Sequence, residues 1–587
     1  MAEESIRGLT TPYYDKMDRA HPWDVYPRPN LKRDSFICLN GEWEFEISKV
    51  DDPPRKYTKI ITVPFPPESE LSGIGQRIEK SDFLYYRRTF TLPEGFIKDR
   101  LLLRFGAVDR YCTVKVNGKT VGTHNCGYLP FYADITELVR DGENEICVKV
   151  KDDLSKIYPY GKQKRKRGGM WYTPVSGIWQ TVWLESVPEK YVRTVSVTPT
   201  VSEVRITVDS DAEWKKITLK DGKSYEFYDK SIVIRPENPV CWSPENPYLY
   251  EFTLETETDK VESYFALREV GVCETENGPR LSLNGKPYLF NGLLDQGYFP
   301  DGIFLPATPE GYEEDIRLAK SLGFNTLRKH IKVEPPIFYY LCDKIGIAVF
   351  QDMVNNSDYS FIRDTALPTV GMKRLNDKNM HKNALSRAAF EECMAGTVNS
   401  LYNNPSVVYY TIFNEGWGQY DADTHYENLK AHDPTRIIDS TSGWFWQKKS
   451  DVLSHHVYFK KITVDPPKDV PVVVSEFGGY SHRVEGHLFG SRNYGYASFS
   501  SREDFGAAIE RLYLEDALES VKCGASALIY TQLSDIEDET NGFITYDRRV
   551  VKIECEKMTE ISKKLTSAYE EALVRREEEN DEEGENK

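Results

Sequence analysis

The chain reads as three domains in series: a jelly-roll-like β-sandwich, a smaller immunoglobulin-like β-sandwich and a C-terminal (β/α)8 barrel. Three observations predict this. Its 587 residues exceed what a single hydrophobic core organises. Short runs of strand-forming residues, punctuated by Gly, Asn-Gly and Asp-Gly, fill residues 36–272. Beyond residue 280 the rhythm changes to apolar strands alternating with amphipathic segments, the pattern of a parallel sheet wrapped by helices.

The first domain (1–187) draws its strands from FICLNGEWEFEI, YYRRTFTL, RLLLRFGAV, YCTVKVNGKTVG, NEICVKVKD and WQTVWLESV. Asn117-Gly118, set between two β-branched runs, predicts a two-residue hairpin turn because both residues tolerate positive φ. The second domain (188–275) repeats the style in VRTVSVTPTV, VRITVDS, KITLKD, SIVIRP and LYEFTLET, the spacing of an immunoglobulin-like sandwich. In the third (276–573), strand runs fall at 288–295, 325–330, 347–353, 407–415, 436–440, 452–458, 472–478 and 525–533. Helical segments such as TPEGYEEDIRLAKSLG and SRAAFEECMAGTVNSLY separate them, predicting eight strand–helix repeats closed into a barrel. The helix in SREDFGAAIERLYLEDALESVKCG opens on Ser-x-x-Asp, a capping signal, and stops at glycine. Residues 574–587, dense in glutamate, are predicted to be a disordered acidic tail.

Composition narrows the class of function. With 75 basic and 92 acidic residues the chain carries −17, which argues against a nucleic-acid partner. No apolar leader opens the sequence and no long apolar run follows, so no membrane association and a cytoplasmic location are predicted. The ten cysteines are scattered without a CxxC pair, which predicts neither a disulfide framework nor a zinc ribbon.

In a (β/α)8 barrel the reactive groups come from the C-terminal ends of the strands. Four strand runs end on acids: Asp295, Asp352, Glu415 and Glu476. In VVYYTIFNEGWGQY and PVVVSEFGGY a buried run delivers a glutamate straight into a glycine-containing turn. The fourth and seventh strands are read as facing one another across the barrel, so Glu415 and Glu476 converge on one pocket. Two such carboxylates are what glycosidic cleavage requires, one protonated to donate to the leaving oxygen and one to attack or to activate water. Asn414 offers a neutral amide to a sugar hydroxyl, and Arg328 and His330, at the end of the second strand, are placed to keep a nucleophile ionised. Trp417, Trp444, Trp446 and Tyr458 lie at or just past strand ends, where aromatic faces pack on pyranose rings. Asp295, Arg328, Tyr458 and Trp444 complete, with Asn414, the candidate substrate-binding set.

These features together resemble glycoside hydrolase family 2, the β-galactosidases, β-glucuronidases and β-mannosidases, over nearly the whole chain. WYTPVSGIWQTVWLE resembles the end of the family's sugar-binding sandwich. NTLRKHIKVEPPIFYYLCDKIGIAVF resembles its first barrel signature, keeping Asn325, Arg328, Asp343 and Gly346. FNEGWGQ and VSEFGG resemble its acid/base and nucleophile motifs. The resemblance implies Glu415 as general acid/base and Glu476 as nucleophile of a retaining mechanism, with carboxyl groups about 5–5.5 Å apart. It implies Asn414 at the sugar 2-hydroxyl, Tyr458 beside the nucleophile, a small glycoside as the partner and a possible homo-oligomer.

The sequence departs from the family where substrates are read. Lys329-His330-Ile331-Lys332 replaces the usual Ser-His-Tyr-Pro run. In EDETNGFITYDR (537–548), acids stand where β-glucuronidases carry the lysine that binds a uronate, so a β-galactoside-like substrate is expected. A β-uronidase (galacturonide or glucuronide) is the alternative, with Arg483, His487 and Arg492 of the 479–500 segment as other cations. That segment reads as a pocket rim or as a solvated connector. QDMVNNSDYSF holds Asp352 and Asp358 but no Glu-x-His, so no metal and no cofactor are expected. A non-catalytic carbohydrate-binding relative is the third reading.

Overall fold

The computed structural model describes residues 8–372 and 375–573. The acidic segment 574–587 lies outside the described residues. In the N-terminal sandwich, six strands in the order 59–63, 41–48, 83–90, 144–151, 111–116 and 119–125 face four in the order 36–38, 182–187, 100–105 and 131–134. Along 144–151 buried and half-buried residues alternate without a break, the period of a sheet with one face on the core. Phe45, Tyr86, Leu103, Val148 and Leu184 from the two inner faces share that core. The hairpin turn forms as its sequence dictates, with Asn117 at φ +47° and Gly118 at φ +80°.

Three strands (194–199, 204–209, 231–234) packed on four (224–227, 215–219, 250–256, 260–265) make the second sandwich. The hairpin Val270–Thr275/Gly278–Leu283 then caps the barrel floor. Val270 and Leu281 pack with Phe290, Phe350 and Val408 of the barrel strands.

The barrel strands are β1 (Phe290–Asp295), β2 (Thr326–Lys329), β3 (Ala348–Asp352), β4 (Val407–Asn414), β5 (Ile437–Ser442), β6 (Leu453–Val457), β7 (Val472–Gly478) and β8 (Ala525–Thr531). All are parallel in the order β5-β4-β3-β2-β1-β8-β7-β6, closed except at the seam between β5 and β6. Six are followed by α-helices: α1 (Glu310–Ser321), α2 (Pro336–Ile345), α3 (Ala384–Leu401), α4 (Ala422–His432), after β7 α5 (Arg502–Arg511) and after β8 α6 (Cys555–Ala572). The expected eight strand–helix repeats are therefore six. Residues 443–452 and 458–471 carry no helix, because both connections are short and the second contains Pro466-Pro467. Ser501 caps α5 as its Ser-x-x-Asp signal predicts, its hydroxyl accepting from the Asp504 amide at 3.0 Å.

Candidate active site

The C-terminal ends of β2, β3, β4 and β7 meet on one buried side chain, Arg328. Its guanidinium donates to Asp352 Oδ1 (3.0 Å), Asn414 Oδ1 (2.8 Å), Glu476 Oε1 (3.0 Å) and the Ser475 carbonyl (2.9 Å). A planar fork with five donors suits this arrangement, which fixes the orientation of Asn414 and Glu476 at once. The Tyr458 hydroxyl donates to the other oxygen, Glu476 Oε2. Burial alone would push the Glu476 carboxyl up, but His456, Arg328, His330 and Lys162 together hold it well below the ordinary carboxylate range. Glu476 is thus an ionised carboxylate with both oxygens oriented.

Glu415 follows β4 and is more open, its side chain 15% exposed against 5% for Glu476. Its amide donates to the Ser442 carbonyl of β5, and its backbone takes φ +54°. Gly416 follows at φ +74°, where a Cβ would come within 2.4 Å of the Phe445 ring. The strand is turned sharply here so that the carboxyl points back over the barrel mouth. One carboxylate oxygen of Glu415, one of Glu476 and a ring nitrogen of His456 lie within 4.8 Å of one another.

His456, on β6, links the two acids and is fully enclosed. Nδ1 lies 2.8 Å from Glu415 Oε1; Nε2 lies 3.0 Å from Ser442 Oγ, 3.4 Å from Arg328 Nη1 and 3.6 Å from Glu476 Oε1. The three groups have the spacing of a cation site, and of their atoms Glu476 and His456 already bond Arg328, Ser442 and Tyr458, while Glu415 Oε1 bonds His456.

Of the residues read from the sequence, Glu415, Glu476, Asn414, Arg328 and Tyr458 come together. Trp444 packs edge-on against His456 at 5.5 Å. Asp295 is not in this group: it accepts from Lys329 Nζ (2.6 Å) and the Gly297 amide (2.9 Å), within a buried cluster that includes Glu334. β4 and β7 are separated by β5 and β6 rather than diametrically opposed, since opposite strands in a ring of eight are four apart; the acids meet over β6. Arg483 is spent on the Ser491 and Arg492 carbonyls, and His487 pairs with Asp547 at 2.7 Å. The 479–500 segment forms a rim, with Tyr496 stacked on Tyr458 at 4.1 Å and the Tyr494 amide bonded to the Asp538 carbonyl.

Two contributors escaped sequence reading. His456 shares the parity of Tyr458 in VLSHHVY, so period 2 places both on one face. The second is a loop of the N-terminal sandwich, residues 152–176, that crosses onto the barrel mouth. Its Tyr160 and Gly161 amides bond the Asn355 carbonyl, both at 3.2 Å, and the Tyr172 hydroxyl donates to Glu539 at 3.2 Å. Trp171 packs edge-on against Trp417 and Tyr359 at 5.2 and 5.3 Å. No local pattern marks a sandwich loop as part of a barrel site.

A sugar-binding-type sandwich, an immunoglobulin-like domain and a barrel carrying two convergent glutamates define the class to which carbohydrate-cleaving enzymes belong. Comparison with known proteins makes this specific. Residues 30–188 match the model of the "Glycosyl hydrolases family 2, sugar binding domain", 190–268 that of "Glycosyl hydrolases family 2" and 277–471 that of the "Glycosyl hydrolases family 2, TIM barrel domain". The chain belongs to glycoside hydrolase family 2. It is 28% identical over 296 residues to a β-galactosidase of Thermoanaerobacter pseudethanolicus, a match covering 46% of this chain and 39% of that one. The chain spans about two fifths of the length of the curated β-galactosidases it matches first. Among solved structures it resembles a β-D-glucuronidase of Dictyoglomus thermophilum (TM-score 0.71, 19% identity, 92% of this chain and 98% of that one). It also resembles a β-galacturonidase of Eisenbergiella tayi bound to galacturonate (TM-score 0.66, 19% identity, 92% and 99%).

Proposed function

We propose that the protein is an exo-acting retaining β-glycosidase that removes terminal β-linked, β-galactoside-like sugars by double displacement. The observation that carries this is the approach of Glu415 and Glu476, whose nearer carboxylate oxygens, one from each, lie within 4.8 Å of one another. Retaining enzymes hold the pair about 5–5.5 Å apart, whereas inverting enzymes leave about 6.5–9.5 Å for a water. Glu476, ionised and oriented by Arg328 and Tyr458, attacks the anomeric carbon. Glu415 protonates the leaving oxygen through the carboxyl oxygen that His456 leaves free. It then takes the proton of the water that hydrolyses the glycosyl-enzyme. Asn414, fixed through its carbonyl oxygen by Arg328, keeps its NH2 group for a sugar hydroxyl.

The test is hydrolysis of nitrophenyl β-galactoside, β-glucuronide and β-galacturonide, with the first-formed anomer read by proton NMR. A β product is expected; an α product would overturn the retaining assignment. Glu476→Gln and Glu415→Gln should each lower kcat by roughly 10²–10⁴-fold or more. A chain that cleaves nothing, and whose Glu476→Gln variant binds sugar as tightly as wild type, would be a binding protein instead. A β-uronide is the second reading, favoured by one cation at the barrel mouth, Lys162.

A further inference from the structure

The chain carries −17 overall, yet five of the six residues 162–167 (KQKRKR) are lysine or arginine, and this run lies on the sandwich loop that crosses the barrel mouth. Three of these cations have local partners. Arg165 bonds the Asp152 and Asp153 carbonyls, Arg167 pairs with Asp538 at 3.3 Å, and Lys164 lies over the Trp171 ring at 5.1 Å. Lys166 is exposed. Lys162 is half-buried and has no ion pair or side-chain hydrogen bond among the described residues.

Its backbone is pinned from both sides. Gly161 bonds Asn355 and approaches so closely that a Cβ there would meet the Ile331 carbonyl, next to His330, at 2.9 Å. The Lys162 carbonyl accepts from the Tyr172 amide at 2.9 Å, and the hydroxyl of that tyrosine reaches Glu539. Lys162 therefore stands between the end of β2 and Glu539, close enough for its charge to act on His330, Glu476 and Glu539. Burial first, and then its positive charge, push His330 down to about 4, and the same charge helps to hold Glu476 down. Neither acid needs it as a contact partner, because Arg328 and Tyr458 already occupy the Glu476 oxygens and Gln532 and Tyr172 those of Glu539. Where the family resemblance puts a uronate-binding lysine, the barrel holds Glu539 and Asn541 instead, and Tyr172 of this same loop bonds Glu539.

We propose that Lys162, supplied by the N-terminal sandwich, is an anion-binding residue of the glycone site, and that the sugar cleaved bears a carboxylate or sulfate group facing it. This inference deepens the glycosidase reading and rests on it. A cation held by its backbone, left unpaired and half-shielded from water, gains most from an anion delivered by the substrate and discriminates against the neutral sugar.

The test compares kcat/KM for matched pairs: nitrophenyl β-galacturonide against β-galactoside, β-glucuronide against β-glucoside, and 6-sulfo-β-galactoside against β-galactoside. Wild type should prefer a charged member, and Lys162→Gln should lower that charged-to-neutral ratio by roughly 10–100-fold, with Lys162→Arg retaining most of it. Loss confined to the carboxylate pairs, or to the sulfate pair, identifies which anion is read. A ratio unchanged in Lys162→Gln, or a wild type that prefers the neutral sugars, overturns the proposal and leaves the glycosidase reading standing. Calorimetry of the Glu476→Gln protein and its Lys162→Gln double variant with galacturonate and with galactose supplies the complementary arm. Preferential galacturonate binding that needs Lys162, in a protein that cleaves no glycoside, would sink the glycosidase reading while supporting the anion site. Equal binding of the two sugars would sink the anion site.

Discussion

Glu415 adopts a conformation that non-glycine residues rarely take, φ +54°, and the following glycine sits at φ +74° against the Phe445 ring. Strain of this kind persists where the surroundings over-determine it, here through the Ser442 carbonyl and the His456 ring. Gly416→Ala has no room for its methyl group and should cut kcat steeply while the fold survives, as circular dichroism would show. His456 acts through Glu415 and is a positioning residue. His456→Gln should lower kcat by roughly 10–100-fold on a poor leaving group such as methyl. The loss should shrink on dinitrophenyl glycosides, which need little protonation; a purely structural role would depress both alike.

At the level of elements, Arg328 ties four barrel strands together through Asp352, Asn414, Glu476 and Ser475. Arg328→Lys keeps the charge but loses the fork. Because uncompensated buried charges cost about 3–5 kcal/mol, a large fall in thermal midpoint should accompany loss of activity. The eight strands were legible because each is an apolar run bounded by turn residues, and the two glutamates because each ends such a run. Arg328 and Tyr458 came from their place at strand ends. Asp295 shares that place, but its carboxylate is taken by Lys329, the residue opposite it on the neighbouring strand β2, a pairing invisible to spacing. The strand–helix rhythm predicts helices after β5 and β6 as well, but the connections 443–452 and 458–471 are too short to hold them. Lys162 and Trp171 were illegible for a different reason: tertiary docking alone brings a sandwich loop over a barrel.

For the whole molecule, the junction between the sandwich and the barrel holds a buried acid, Glu537, whose Oε1 accepts from the Thr173 amide at 2.8 Å. Burial raises its carboxyl from 4.5 to about 7. Between those values the folded protein binds a proton that the unfolded chain releases, so this group's contribution to stability falls as pH rises from 4.5 to 7 and is flat beyond. Glu537→Gln removes the titration. Its stability relative to wild type should rise across that window by on the order of 2–3 kcal/mol, measured by denaturant unfolding at pH 4.5, 6 and 8. The loop that carries Thr173 also sets a schedule. Residues 152–176 leave the ribosome with the first domain, whereas Glu476 comes some three hundred residues later and Glu539, which meets Tyr172, later still. During synthesis the first domain thus waits with one wall of a cavity whose floor does not yet exist. For the glycosidase proposed above, activity is expected only once the last barrel strand has closed and the early loop is received, so that its appearance would report the completion of the whole assembly rather than of any one domain.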